Sequence, residues 1–295
     1  MSKRLLFIVN PKSGKGQIKS YLTDILDIMI KAGFEVSVHI TQSRGDATLK
    51  TIQEAENYDR IVCSGGDGTL DEVIAGMMQV KNPIPVGYIP AGSTNDFGNS
   101  LGIDKNMLNA AQVSVSDNLF PCDIGRFNSE SFVYVAAFGL FTEVSYATPQ
   151  DMKNALGHLA YIIEGAKQLR DITSFRMQVE HDGKIFYDEF IYGMITNSKS
   201  VGGFQGLIKG DIGLNDGVFE VTLIRMPKNP IELNEILAFI ANAVTDSNMV
   251  YSFQTRSIKF TSNEEVPWTL DGEFGGKHQE VTVSNVPKAI ELVIE

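Results

Sequence analysis

Residues 64–72, Ser64-Gly65-Gly66-Asp67-Gly68-Thr69-Leu70-Asp71-Glu72, carry the strongest chemical signal in the chain. Glycines at 65, 66 and 68 let backbone N–H groups approach an anion closely. A helix opening just beyond them would add unpaired amides and the positive end of its dipole. This is the composition of a phosphate-binding turn. Asp67 would repel phosphate, so its expected work is to orient backbone donors, a hydroxyl or a Mg²⁺-bound water. The plainer alternative is a strand-to-helix turn capped by Asp67. A second loop, Asn10-Pro11-Lys12-Ser13-Gly14-Lys15-Gly16, offers Asn10, Ser13 and the backbone around Gly14 as hydrogen-bonding groups, with Lys12 and Lys15 as positive charge. It matches neither G-x-x-x-x-G-K-[ST] nor G-x-G-x-x-G, and an ordinary surface turn is its alternative. A third loop, Pro90-Ala91-Gly92-Ser93-Thr94-Asn95-Asp96-Phe97-Gly98, offers Ser93 toward a nucleotide and Thr94 as a helix cap.

Those loops need a frame. RLLFIV (4–9), EVSVHI (35–40), DRIVCS (59–64) and PVGYIP (85–90) read as buried strands separated by helical patterns. Ile18, Leu22, Ile25, Leu26 and Met29 mark one helical face, Gly33 its stop, and Asp46 the expected N-cap of the next helix. Such β-α repetition calls for a mostly parallel sheet covered by helices, which binds ligands at the carboxyl ends of its strands. The loops sit at those ends. After about residue 127 the pattern becomes strand-rich, with turn signals at His181-Asp182-Gly183 and Asn215-Asp216-Gly217 and helices expected near 154–170 and within 231–246. The expectation is an α/β domain over 1–127, completed by 288–295 if the last run joins it, and a second, strand-rich domain over 128–287.

The chain has 295 residues, a formal charge of −11 and no long basic run, which argues against a nucleic-acid binder. Cys63 and Cys122 are too few for a disulfide framework or a thiolate metal site, and Cys63 reads as a buried free thiol in a reducing cytoplasm. The first apolar run is too short for a secretory signal, and no stretch reaches the roughly 18 apolar residues of a membrane span.

Together, NPKSG, GGDGTLDE and PAGSTNDFG resemble the diacylglycerol kinase catalytic family, which includes sphingosine kinases and soluble bacterial lipid kinases. GGDGT alone is shared with NAD kinases and 6-phosphofructokinases; the three loops in this order are more specific, and the resemblance extends over nearly the whole chain. It implies an NAD kinase/diacylglycerol kinase-like fold, with a β-sandwich-like second domain that carries the lipid substrate. It implies ATP and Mg²⁺, with nucleotide contacts from Asn10, Pro11, Lys12, Ser13, Gly14, Thr41, Gly66, Asp67, Gly68, Thr69, Leu70 and Thr94. Local pattern alone leaves Thr41 as a turn residue.

In the second domain, Asp271-Gly272-Glu273 matches the family's DGE motif. The resemblance makes Glu273 the general base that takes the acceptor's hydroxyl proton, with Asp271 positioning it or a water. A solvent-exposed acidic turn is the alternative. By the same resemblance the Asp216 carboxylate and the carbonyls of Gly213 and Val218 bind a structural Mg²⁺, linked to the active site through Asp96 and Asp123; an ion-free hairpin turn is the alternative there. Asp71 stands where the family often has Asn, and Asn99-Ser100 where it often has Arg-Ala, leaving nucleotide affinity open.

The resulting expectation is a diacylglycerol kinase reaching its lipid by peripheral membrane contact from the cytoplasm. Apolar candidates to line a lipid groove or meet the membrane are Phe138 to Phe141, Leu156, Leu159, Ile163, Ala166, Phe204 and Leu207, with an ordinary core stripe as the alternative. A kinase of a sphingoid base or another long-chain alcohol, an NAD kinase, and a non-catalytic lipid or nucleotide sensor are the alternatives. Relatives include homodimers, and a dimer is expected by association only.

Overall fold

The computed structural model describes residues 2–93, 95–140, 172–197, 213–240 and 246–295. The helix expected near 154–170, and Phe141, Leu156, Leu159, Ile163, Ala166, Phe204 and Leu207 with it, lie outside the described residues. The chain divides into two compact units, Met1–Ile124 with Pro287–Glu295, and Gly125–Val286.

Unit 1 is built on β1 (Lys3–Val9), β2 (Phe34–Ile40), β3 (Arg60–Gly65) and β4 (Val86–Pro90). They are parallel in the order β2-β1-β3-β4, the arrangement that β-α repetition requires. β3 and β4 are buried along their whole length, so they read as continuous apolar runs rather than alternating ones. The carboxyl-terminal residues join this sheet, with Leu292 opposite Val86. Helix α1 (Ile18–Lys31) buries Ile18, Ile25 and Met29, and the chain leaves it through Gly33 at φ 91°. Leu22 and Leu26 are only half-buried. α2 (Asp46–Glu54) packs against α3 (Asp67–Met77), while α1 packs against α5 (Met107–Ser114). The short α4 (Asp96–Ser100) follows the third loop. Asp46 does not cap α2. It is the first helical residue, and the N-cap position is Gly45 at φ 80°, with no cap from its own segment.

Unit 2 is strand-rich. β7 (Val135–Gly139), β9 (Lys184–Thr196), β10 (Phe219–Arg225) and β11 (Val250–Thr255) form antiparallel pairs, and β7 also pairs β12 (Ser257–Leu270). β8 (Phe175–His181) pairs both β9 and β12, and β12 pairs β13 (Glu273–Val293). β5 (Leu119–Phe127) pairs the short β6 (Glu130–Phe132), and α6 (Pro230–Ile240) follows β10. Asp182 and Gly183 both have positive φ, which turns β8 into β9 in two residues.

The core gathers around Trp268, whose ring lies 4.8 Å from Phe138, 5.1 Å from Phe127 and 5.3 Å from Phe260, centroid to centroid. Burying four aromatic rings in one cluster concentrates apolar contact beneath the end of β12. Phe138 is therefore core and does not form a membrane contact. Both cysteines are buried free thiols, each with its pKa pushed up by burial. Among the described residues, no helix is long and apolar enough to cross a membrane.

Candidate active site

The carboxyl ends of β1, β3 and β4 bring three loops into contact through backbone that only glycine allows. A Cβ on Gly14, which sits at φ 54°, would lie 2.4 Å from the Ala91 carbonyl oxygen. One on Gly92 would lie 2.6 Å from Gly66 Cα, and one on Gly66 would meet Ser13 Oγ at 3.3 Å. The first loop thus touches the third, and the third touches the glycine-rich turn of α3.

Hydrogen bonds fix the same assembly. The Asn10 amide N–H donates to the Ser64 carbonyl at 2.8 Å and its side-chain Nδ2 to Thr69 Oγ1 at 3.0 Å, while Oδ1 accepts from the Lys12 N–H at 3.1 Å. Asn10 is engaged mainly with the protein itself. Asn95, at φ 52°, accepts the Gly92 N–H on Oδ1 at 3.0 Å and returns Nδ2 to the Gly92 carbonyl at 2.9 Å. The Tyr88 hydroxyl is 3.1 Å from both Asn95 Oδ1 and the Gly65 carbonyl. Asp67 accepts the Phe97 N–H at 3.3 Å, tying the start of α3 to α4. Sequence reasoning missed Asn95 as the staple of the third loop. The available signal was an Asn before a helix, one of the few non-glycine residues that readily take positive φ.

Of the expected nucleotide contacts, Lys12 and Gly68 are exposed, and Pro11, Ser13, Thr41, Gly66 and Asp67 are half-buried or more open. Thr69 is buried, and Leu70 is 1% exposed, so its side chain belongs to the core. The Thr69 and Leu70 amides both point to the Gly66 carbonyl, at 3.0 and 3.3 Å. Thr41 hangs from the end of β1, its N–H 2.9 Å and its Oγ1 3.4 Å from the Val9 carbonyl. Thr94 and the side chain of Asp96 lie outside the described residues. Asp123 is fully buried and accepts the Lys288 N–H at 2.7 Å.

In unit 2, Asp271 and Gly272 are the two residues of the β12–β13 hairpin turn, at φ 51° and 84°, with Leu270 opposite Glu273. Positive φ at both central positions is the tight turn that matches strand twist, and Asp-Gly is a preferred pair for it. Glu273 is the first residue of β13 and is exposed, with Phe274 beside it 52% exposed. Asp271 is 8% exposed. Its carboxylate accepts three backbone N–H groups, from Val133 at 2.6 Å and from Tyr134 and Val135 at 2.9 Å each. Its own N–H reaches the Val135 carbonyl at 2.8 Å. The two acidic residues of the motif therefore differ in kind: one is bound into the fold and the other stands at the surface.

The turn at 213–218 is closed by Asp216. Asp216 Oδ1 accepts the Val218 N–H at 3.1 Å, and its Oδ2 occupies the space a side chain at Gly213 would need, 2.7 Å from a Cβ there. The Val218 carbonyl accepts Asn285 Nδ2 at 3.3 Å. Glu220, two residues on, is buried, and its Oε2 has no hydrogen-bond partner among the described residues. Burial raises the Glu220 carboxyl above its ordinary range, opposed by a hydrogen bond from Gln254 and assisted by the charge of Asp216. No group of three His, Cys, Asp or Glu able to hold a metal occurs among the described residues. One carboxylate with carbonyls and an unsatisfied buried oxygen is a donor set that fits a hard cation completing its shell with water.

Two family models match. The diacylglycerol kinase catalytic domain matches residues 4–127, and the YegS C-terminal NAD kinase beta sandwich-like domain matches residues 135–294. A diacylglycerol kinase of Staphylococcus carnosus is 35% identical over 280 residues, 94% of this chain and 90% of its own length. One of Bacillus subtilis is 36% identical over 278 residues, 93% of this chain and 91% of its own. A crystal structure of a diacylglycerol kinase from Bacillus anthracis superimposes with a TM-score of 0.79 at 23% identity, covering 100% of this chain and 97% of that one, a likeness of fold. The architecture is thus an N-terminal α/β domain followed by a strand-rich, sandwich-like domain, and the protein belongs to the diacylglycerol kinase catalytic family, a family of lipid kinases.

Proposed function

We propose that the protein is an ATP- and Mg²⁺-dependent kinase that phosphorylates the hydroxyl of diacylglycerol to give phosphatidic acid. The observation that carries this reading is the glycine-only contact of three loops at one sheet edge, Gly14 on Ala91 and Gly66 on Gly92. Such a surface presents backbone rather than side chains, which is what a bound polyphosphate requires. Relatives named diacylglycerol kinases along nearly the whole chain support the choice of acceptor over NAD. A sphingoid base or another long-chain alcohol would use the same groups.

In this reading the residues 10–14, Thr41, 66–70 and Thr94 hold ATP, with Leu70 acting through its backbone and Lys12 adding charge. Glu273 accepts the acceptor's proton as the new O–P bond forms and the bond from the γ-phosphorus to the bridging oxygen breaks, releasing ADP. Asp271 fixes the turn from which Glu273 projects. Mg²⁺, when bound at the phosphates, offsets their charge. A second Mg²⁺ would be held by Asp216 and the carbonyls of Gly213 and Val218, with Asp96 and Asp123 linking it to the phosphate site.

The ion is testable apart from activity. Mg²⁺ should raise the melting midpoint of the wild type, by an amount equivalent to about 2.7 kcal/mol at a hundredfold excess over its dissociation constant. Asp216→Asn should abolish that response. The acceptor is tested with γ-labelled ATP, Mg²⁺ and mixed micelles offering diacylglycerol, sphingosine or undecaprenol, with NAD in parallel. Label in phosphatidic acid is expected. Label in another lipid would change the substrate, and label only in NAD would overturn the lipid reading.

A further inference from the structure

Glu72 sits in the second turn of α3 and looks, in sequence, like the tail of the glycine-rich phosphate motif. Its side chain goes elsewhere. Oε1 accepts the Gly45 N–H at 2.8 Å and Oε2 accepts the Ala47 N–H at 3.1 Å, while its carbonyl accepts the Thr48 hydroxyl at 2.9 Å. Both carboxylate oxygens are therefore committed to the first turn of α2, a helix that begins at a left-handed glycine and has no cap of its own. A carboxylate there satisfies two of the orphan amides and meets the positive end of the helix dipole.

Asp46 holds the same segment from within. Asp46 bends back to accept the Gln42 N–H at 2.7 Å and lies 3.1 Å from His39 Nε2. The Gln42 bond, against some desolvation, keeps the Asp46 carboxyl below its usual range, and His39 and Lys50 act in the same direction. Asp46 thus closes the loop on itself, whereas Glu72 ties it to another element. The two helices also meet without an intervening side chain: a Cβ on Gly76 of α3 would lie 2.7 Å from Thr51 Cβ and 2.8 Å from the Thr48 carbonyl of α2.

We infer that Glu72 is a positioning residue for the nucleotide: through Gly45 and Ala47 it sets where the Thr41–Gly45 loop stands relative to the phosphate turn that opens its own helix. One rigid helix then fixes two ligand-binding segments that are far apart in sequence. The inference rests on the reading of Thr41 and the 66–70 turn as nucleotide contacts. Because Glu72 touches neither substrate, its loss acts on nucleotide affinity and leaves the chemical step alone.

The test uses the full chain with Glu72→Gln and Glu72→Ala. Gln keeps one acceptor and turns an amide N–H toward the other donor; Ala keeps none. The expected result is a rise in KM for ATP of about 10-fold for Gln and more for Ala, the scale of one and two charge-assisted hydrogen bonds. kcat at saturating ATP stays within about twofold, KM for the acceptor is unchanged, and amide hydrogen exchange at Gly45 and Ala47 accelerates. Calorimetric binding of Mg²⁺-ATP to the folded protein reports the same shift without turnover. If the exchange accelerates while ATP binds as in the wild type, or if kcat falls with KM unchanged, the positioning role is wrong and the kinase reading survives. A wild type that fails to bind Mg²⁺-ATP overturns both.

Discussion

Glu273→Gln is expected to lower kcat by about 100- to 10,000-fold, the usual contribution of a positioned general base, while ATP affinity and the melting midpoint stay near wild type. The reason is local. Glu273 is exposed at the first position of β13, and its backbone is registered opposite Leu270 whatever side chain it carries. Glutamine is nearly isosteric and cannot accept the hydroxyl proton. The variant therefore removes one function from an intact strand. Steady-state kinetics with saturating ATP and acceptor, together with a melt, check it. A Glu273→Gln enzyme with wild-type kcat would remove the assigned base. A large fall in ATP affinity would mean that the residue acts on nucleotide binding instead.

The largest stability effect is expected two residues earlier. Asp271→Ala leaves the amides of Val133, Tyr134 and Val135 without the acceptor they share. A buried donor without a partner costs about 1–3 kcal/mol, and three together approach the whole stability of a typical domain, about 5–15 kcal/mol. Alanine would also sit at φ 51°, where a Cβ costs about 1–2 kcal/mol that glycine avoids and that aspartate offsets with its hydrogen bonds. Asp271→Gly separates the two causes. Glycine accepts the backbone angle but offers no acceptor, so it should be nearly as destabilised as alanine if the three hydrogen bonds dominate. Asp271→Asn, which keeps one good acceptor and tolerates positive φ, should be intermediate. Denaturant melts of the three variants decide the order, and a glycine variant as stable as wild type would assign the effect to backbone strain alone.

These two predictions also show what the DGE motif asks of the chain. Asp and Gly answer to the turn: both must take positive φ, and only the aspartate can also collect three amides from a segment more than 130 residues away. In the proposed mechanism the glutamate answers to the chemistry. Sequence reasoning joined Asp271 to Glu273 as its positioning partner, and the hairpin turn gives the two different environments.

What was legible in the sequence was whatever is encoded locally. The strands of the first unit announce themselves as short apolar runs, and Gly33 and Asp182-Gly183 mark stops and turns because their backbone angles admit few other residues. The clustering of glycines in the three loops was visible too, though only the fold reveals that Gly14, Gly66 and Gly92 are needed by one another. The misread cap has its partner distant in sequence. Asp46 looked like the cap of α2 because its own segment offered no better candidate; the capping carboxylate comes from Glu72, 25 residues beyond the Ala47 amide it accepts. Leu70 belongs to the glycine-rich turn in sequence, and the helix phase sends its side chain into the core. Asn10 is legible as a loop residue, but that its side chain reaches Thr69 across the fold is visible only in the structure.

The central claim is that phosphoryl transfer to a lipid hydroxyl, rather than binding or hydrolysis, is what the protein does. The most direct measurement is a time course of ADP and phosphatidic acid formed from ATP, Mg²⁺ and diacylglycerol in mixed micelles, with lipid-free controls. The account predicts ADP release that depends on the lipid and matches phosphatidic acid mole for mole. ADP release that ignores the lipid, or no ADP at all from a protein that binds Mg²⁺-ATP, would contradict it.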